Sequence, residues 1–171
     1  GEVPTFDEAE LKARELGATL IAMDASYKMT DSLDECHRRG WIPMIGEDLR
    51  GYREVLPKSP DNPDGKIVTR LYSWRGRHSA TSGQVTALHW ASQGGQDQLA
   101  SLISGKFQGW TVSQTVPESY AQEMRSHEYV SKKGKRARWE RIGDRADHRW
   151  DCECMIAVIL QAYDVVPLDA E

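Results

Sequence analysis

Two short stretches carry side chains that could do chemistry on a phosphate. Asp24 closes the apolar run Ala18-Thr19-Leu20-Ile21-Ala22-Met23, which puts a carboxylate at the C-terminal end of a strand that reads as buried on both faces. Open α/β sheets hold their ligands at that end. The same residue, with Ser26 just after it and a helix soon to begin, also suits a turn or a helix cap. The second stretch is Asp147-His148-Arg149-Trp150-Asp151-Cys152-Glu153, three acids and a histidine at the start of the last helix. A helix macrodipole favours acids there by about 0.3–1 kcal/mol each, which accounts for them without any ligand. His148 and Asp151 nevertheless stand three residues apart, on one helical face, where two ligands can approach one ion. Glu153 points to another face, toward the outer surface or a basic neighbour.

Mg2+ prefers oxygen ligands in octahedral geometry, with one or two carboxylates completed by water and substrate phosphate. Two such ions about 4 Å apart clamp the attacking water and the leaving oxygen of a phosphodiester. That chemistry draws on acids from distant parts of a chain, and Asp24 and Asp151 supply two. Phosphate also needs cations. The chain is mildly acidic, with 22 Lys+Arg against 26 Asp+Glu and a net charge of -4. Yet Arg70, Arg75 and Arg77 cluster, and so do Lys132, Lys133, Lys135, Arg136, Arg138 and Arg141. Basic patches on an acidic protein suit a nucleic-acid backbone, and Arg75, Arg77, Lys132, Lys133, Lys135 and Arg136 are the predicted DNA contacts. Two solvated loops are the alternative. Trp74, Trp110 and Trp139 read as core anchors rather than platforms for bases.

The elements that must position these residues follow an α/β rhythm. Thr5 caps a helix with Glu8 three residues on, Gly17 stops it, and Phe6, Ala9, Ala13 and Leu16 form its stripe. The strand ending at Asp24, a helix over 31–39 closed by Gly40, and a strand over 41–46 make a βαβ unit of a parallel sheet. Residues 47–66, rich in Pro, Asp and Asn, read as a loop. Strands are predicted over 67–74 and 85–90, flanking the polar segment 75–83. A helix over 96–103, a strand over 110–114, a helix opened by Pro117, and a strand over 138–142 follow. The last helix, 149–163, places Trp150, Cys154, Ala157, Val158 and Gln161 on one side, with Pro167 past its end.

Length and composition narrow the classes. A chain of 171 residues is one domain, or one with an appendage. With 39% hydrophobic and 28% charged residues it is lean but outside the disordered class. The longest apolar run, Met155 to Leu160, is far too short for a membrane span. Cys36, Cys152 and Cys154 are odd in number and badly spaced for a disulfide scaffold or a zinc site, and fit a reducing compartment. No P-loop and no repeat period are present.

Several of these segments together resemble the large terminase subunit of tailed phages, lambda type. Met23-Asp24-Ala25-Ser26-Tyr27 and Trp41-Ile42-Pro43-Met44-Ile45-Gly46 are similar to that family's Asp-Ser-Gly-Tyr-like turn and its strand ending in Lys-Gly. Pro117-Glu118-Ser119-Tyr120 with Glu123-Met124 is similar to a family helix, and Trp139 stands where a Trp precedes the last motif. Asp147-His148-Arg149-Trp150-Asp151-Cys152-Glu153 resembles Asn-His-x-Trp-Asp-Cys-Glu most specifically. The resemblance implies the nuclease domain of a DNA-packaging motor over 1–171, with an RNase H-like mixed sheet flanked by helices. It implies cutting of concatemeric double-stranded DNA with Mg2+ or Mn2+ in the host cytoplasm, beside a small terminase subunit and a portal. By position, Asp24 and Asp151 become metal ligands and His148 an auxiliary ligand or proton carrier. Ile45 stands where the family has Lys, and the Gly before Tyr is missing. A helix precedes the Asp24 strand, so the opening strands and the first acid of the fold are expected upstream of Gly1. Glu47 or Asp48 would otherwise have to replace that acid. A non-cleaving RNase H-like binding or docking module, or another RNase H-like nuclease such as a resolvase or transposase, are the alternatives.

Overall fold

A computed structural model describes residues 5–58, 60, 63–106 and 110–164; Pro167 lies outside the described residues. The chain divides into two compact units, Gly1–Gly46 with Ser73–His89 and Glu47–Tyr72 with Trp90–Glu171. The architecture is mixed α/β, with a mixed sheet flanked by helices, as the sequence predicts.

In the first unit, α1 (Phe6–Glu15) begins as its capping box requires. The Thr5 side chain accepts from the Glu8 amide at 3.2 Å and donates to the Glu8 carboxylate at 2.9 Å. Its apolar stripe is only half covered: no α1 residue is buried, and Leu16 is exposed. The strand β1 (Ala22–Asp24) is shorter than predicted. It lies at the sheet edge, paired only with β2 (Ile42–Glu47), and is half-buried rather than covered on both faces. An edge strand needs fewer apolar neighbours than a central one, which is why the run from Ala18 does not extend as strand. The β1–β2 pairing is parallel, with Asp24 opposite Met44. Between them runs α2 (Met29–Arg39), closed by Gly40 at φ 69°, a conformation that favours glycine. The helix buries Leu33 and Cys36, and Leu33 joins Ala25, Ile45, Val85 and Ala87 in one core.

The sheet order is β1-β2-β6-β5, completed by the hairpin of β5 (Tyr72–Ser79) and β6 (Gly83–Ala91). The polar segment 75–83 is therefore mostly strand, not a loop, and Arg75 and Arg77 stand on β5. Its composition misleads because β5 is the other edge of the sheet, where one side of the strand faces water. Asp34 holds the turn: its carboxylate accepts from the Ser79 hydroxyl and from the Ser82 amide at 3.1 Å. Those hydrogen bonds, the Ser79 one foremost, hold Asp34 below the usual carboxylate range.

Among its described residues the second unit has two antiparallel hairpins and three helices. The first hairpin pairs β3 (Tyr52–Val55) with β4 (Ile67–Arg70), Tyr52 opposite Arg70. The sequence hides β3, because its exposed residues show no apolar alternation and Pro and Asp surround it. The second hairpin pairs β7 (His127–Val130), also unpredicted, with β8 (Arg138–Arg141), Tyr129 opposite Trp139. Helix α3 (Ser92–Ile103) starts earlier than predicted, α4 (Glu118–Glu123) follows Pro117, and α5 (His148–Ala162) packs against α3. The predicted inner side of α5 is buried throughout, from Trp150 through Cys154, Ala157 and Val158 to Gln161. Residues 110–114 form no strand. The Ser113 hydroxyl accepts from the Thr115 amide at 3.2 Å, a local turn bond that competes with extended pairing.

Candidate nucleic-acid interface

Asp24 occupies the predicted place at the C-terminal end of β1 and is exposed. Its Oδ1 accepts from the Ser26 amide at 2.8 Å, so the side chain shapes the turn that leaves the strand. Asp24 belongs to the first unit; His148 and Asp151 belong to the second.

The acidic motif opens α5 as the spacing predicts, and most of its members have local partners. Asp147 sits at the N-cap but makes no capping bond; its carboxylate lies 3.6 Å from Arg141 and 3.9 Å from His127 Nε2. Trp150 is buried between His127, stacked at 5.4 Å and 13°, and Trp139 at 5.5 Å. Glu153 does not pair with a base: it is half-buried and accepts from the Tyr120 hydroxyl at 2.7 Å. Burial and that carboxylate push the Tyr120 hydroxyl's ionisation up. His148 is exposed on the first turn of the helix, and Asp151 is half-buried. Ser126, His127 and Asp147 form a chain of side chains, the Ser126 hydroxyl 3.0 Å from His127 Nδ1. It is no nucleophilic triad, because Ser126 is fully buried and no substrate reaches it. Burial pulls the His127 imidazole below its ordinary value, with Asp147 acting in the opposite sense.

Two of the three cysteines are shielded, and Cys152 is exposed. Cys36 and Cys154 are buried, and burial pushes the Cys36 thiol up to about 11 and Cys154 higher still. Among the described residues no three His, Cys, Asp or Glu side chains gather as a group able to hold a metal ion.

The structure does gather cations. A groove of about 590 Å³ in the second unit is lined by Arg50, Arg53, Lys135, Arg136 and Arg138, with Asp48 the one acidic side chain among the described residues. Gly51, Thr69 and Gln93 complete much of its wall. Lys135 and Arg136 come from the β7–β8 turn, Arg53 from β3, and Arg138 from the start of β8.

The frame beneath is polar and well bonded. Arg50 pairs with Asp97, donates to the Ala137 carbonyl at 2.6 Å and to the Tyr129 hydroxyl at 3.1 Å. Asp97 also accepts from the Trp139 indole at 2.9 Å. Gln93 bonds the Trp139 backbone twice, accepting from its amide at 2.8 Å and donating to its carbonyl at 3.2 Å. These bonds tie α3 to β8. Gly94, one residue on, lets the helix approach the Arg50 backbone: a Cβ there would sit 2.2 Å from the Arg50 carbonyl oxygen.

The predicted cationic residues thus separate into three groups. Lys135 and Arg136 line the groove, and neither has a carboxylate within ion-pair distance among the described residues. Lys132 pairs with Glu140 at 2.8 Å, and Lys133 is exposed on the same turn. Arg75 and Arg77 lie in the other unit, where Arg77 donates to the buried His89 Nε2 at 2.9 Å. Arg138 belongs to the predicted basic cluster over 132–141, whereas Arg50 and Arg53 are not predicted contacts, although they flank Gly51 in a stretch that reads as loop.

No family model, no curated protein and no solved structure matches the chain. Among the described residues no helix is long and apolar enough to cross a membrane.

Proposed function

We propose that this chain binds the phosphate backbone of DNA in the groove lined by Arg53, Lys135, Arg136 and Arg138. The observation that carries the reading is the concentration of five cationic side chains around one cleft of a chain whose net charge is -4. Local field, not net charge, sets where a polyanion docks. Lys135 and Arg136 give point and fork donors to phosphate oxygens, while Arg50, tied to Asp97 and Ala137, keeps the wall in place. Among the described residues the lining offers cations and no aromatic ring, so the contact is to backbone rather than stacked bases.

The test is binding of a fluorescent DNA duplex across a salt series. Lys135→Ala/Arg136→Ala should weaken binding and flatten the slope of log K against log salt by about 1.8, at about 0.9 per phosphate contact. Unchanged affinity and slope would remove the groove as the interface.

A second reading, cleavage of concatemeric DNA as in a terminase nuclease, is favoured by one feature. The motif Asp147–Glu153 opens the last helix, with His148 and Asp151 one turn apart, as the resemblance implies. The mixed sheet with Asp24 at a strand end supports an RNase H-like fold in this reading. Asp24 and Asp151 would be its metal-ligating carboxylates for Mg2+ or Mn2+, with His148 auxiliary, and the small terminase subunit and portal its partners in the host cytoplasm. Nicking of supercoiled plasmid with Mn2+ that disappears in both Asp24→Asn and Asp151→Asn would support cutting. Nicking that persists in both would exclude these residues from it.

A further inference from the structure

We infer that Asp48 is a built-in counter-anion of the groove, which holds Arg138 away from phosphate and so limits how tightly the groove binds. This rests on the reading of the groove as a backbone-binding site. Arg138 Nη2 donates to Asp48 Oδ2 at 3.1 Å, and the two side chains are 50% and 60% exposed. Both line the groove, and Asp48 is its one carboxylate among the described residues. The pair joins residues ninety positions apart, so it is a contact of the folded groove and not of neighbouring turns.

An exposed pair of this kind adds little to net stability. Its consequence for an incoming polyanion is larger in kind. Asp48 occupies one donor edge of the Arg138 guanidinium, so a phosphate meets at best a shared fork. It also places a negative charge against the incoming phosphate, where like charges suppress association. The other cations are placed differently. Lys135 and Arg136 carry no such partner among the described residues, and Arg50 spends its donors on Asp97, Ala137 and Tyr129. Arg138 is therefore the groove cation whose availability a single exposed acid controls. The groove is tuned for weak, salt-sensitive, releasable binding of a backbone rather than for a permanent grip.

The experiment is a double-mutant cycle on the full chain, read by duplex binding across a salt series. Asp48→Asn keeps the side chain's shape and removes its charge. It should tighten binding about three- to fivefold at fixed salt and steepen the slope by about 0.9, one further phosphate contact. Arg138→Gln alone removes one groove cation and leaves the Asp48 carboxylate uncompensated, so it should weaken binding. In the Asp48→Asn background the same Arg138→Gln change should abolish the gain. A gain that survives Arg138→Gln would be a general charge effect and would overturn the inference, as would Asp48→Asn with wild-type affinity. Lys135→Ala/Arg136→Ala is measured alongside: if it weakens binding while Asp48→Asn does nothing, the groove stands and only the counter-anion falls. If neither has an effect, the groove reading itself fails. Far-UV circular dichroism of each variant confirms that folding is unchanged.

Discussion

Substituting Gly94 by Ala isolates the close approach on which the groove wall depends. A Cβ at Gly94 would stand 2.2 Å from the Arg50 carbonyl oxygen, 2.6 Å from Leu71 Cδ2 and 3.0 Å from the Arg50 carbonyl carbon. Reaching ordinary contact at about 3.5 Å requires a displacement of about 1.3 Å. The obstacle is backbone, and it is held: the Gln93 and Gly94 amides donate to the Leu49 carbonyl at 2.9 and 3.3 Å, and the Arg50 side chain is fixed at Asp97 and Ala137. Helix propensity favours Ala over Gly by about 1 kcal/mol. Overpacking costs about 1–3 kcal/mol, and each of the two displaced hydrogen bonds costs about 0.5–1.5 kcal/mol. The net loss is about 1–5 kcal/mol, against the sign that propensity alone gives. Urea unfolding followed by tryptophan fluorescence measures it, with Gly95→Ala as the internal comparison. At Gly95 a Cβ would meet the Trp90 ring at 3.1 Å and Val158 at 3.3 Å, side chains that can yield by a few tenths of an ångström. Gly95→Ala should therefore remain within about 1 kcal/mol of wild type. A Gly94→Ala midpoint at or above wild type, or above that of Gly95→Ala, would refute the steric argument. Gly94→Ala should also weaken duplex binding, since the displaced backbone carries Arg50.

Three further outcomes follow from the packing. Arg39, 7% exposed, is held by Asp7, Glu10 at 2.5 Å and Glu35 at 2.9 Å, and its hydrogen bonds hold all three carboxyls below their ordinary values of 3.8 and 4.5. That stabilisation is present above those values and is lost as pH falls through the lowered ones, so thermal midpoints should drop below about pH 4.5. Arg39→Met should lower the midpoint at neutral pH and flatten this acid limb; an unchanged acid limb would contradict the network. His127, its imidazole lowered chiefly by burial, is favoured neutral in the fold, so stability should decline as pH falls below 6.5 toward its lowered value. His127→Gln should remove that decline in thermal melts between pH 7 and 5, and a decline of equal size in the variant would assign it elsewhere. Asp34→Ala removes the acceptor shared by the Ser79 hydroxyl and the Ser82 amide. Hydrogen exchange at Ser82 should accelerate, while protection in α3, which belongs to the other unit, should stay as in wild type.

What the sequence determined by itself was local. The Thr5–Glu8 capping box, the stop at Gly40, the βαβ unit whose first strand ends at Asp24 and the inner side of α5 all follow from interactions within a few residues, whose energies are readable from residue type and spacing. The position of Asp151 and His148 on the first turn of α5 is legible for the same reason. The tertiary structure alone decided which polar segments became strands. β3 and β7 carry no apolar alternation and exist because β4 and β8 pair with them, a hydrogen-bonding gain that no single segment displays. It also sorted the cations. Lys132 is drawn to Glu140 and Arg77 to His89, while Arg53 joins Lys135 and Arg136 around one cleft. Charge is visible in a sequence, but whether a given cation faces a carboxylate, a buried imidazole or open solvent is set by long-range pairing. The contact of Arg138 with Asp48, ninety residues away, has no local energy for the sequence to reveal.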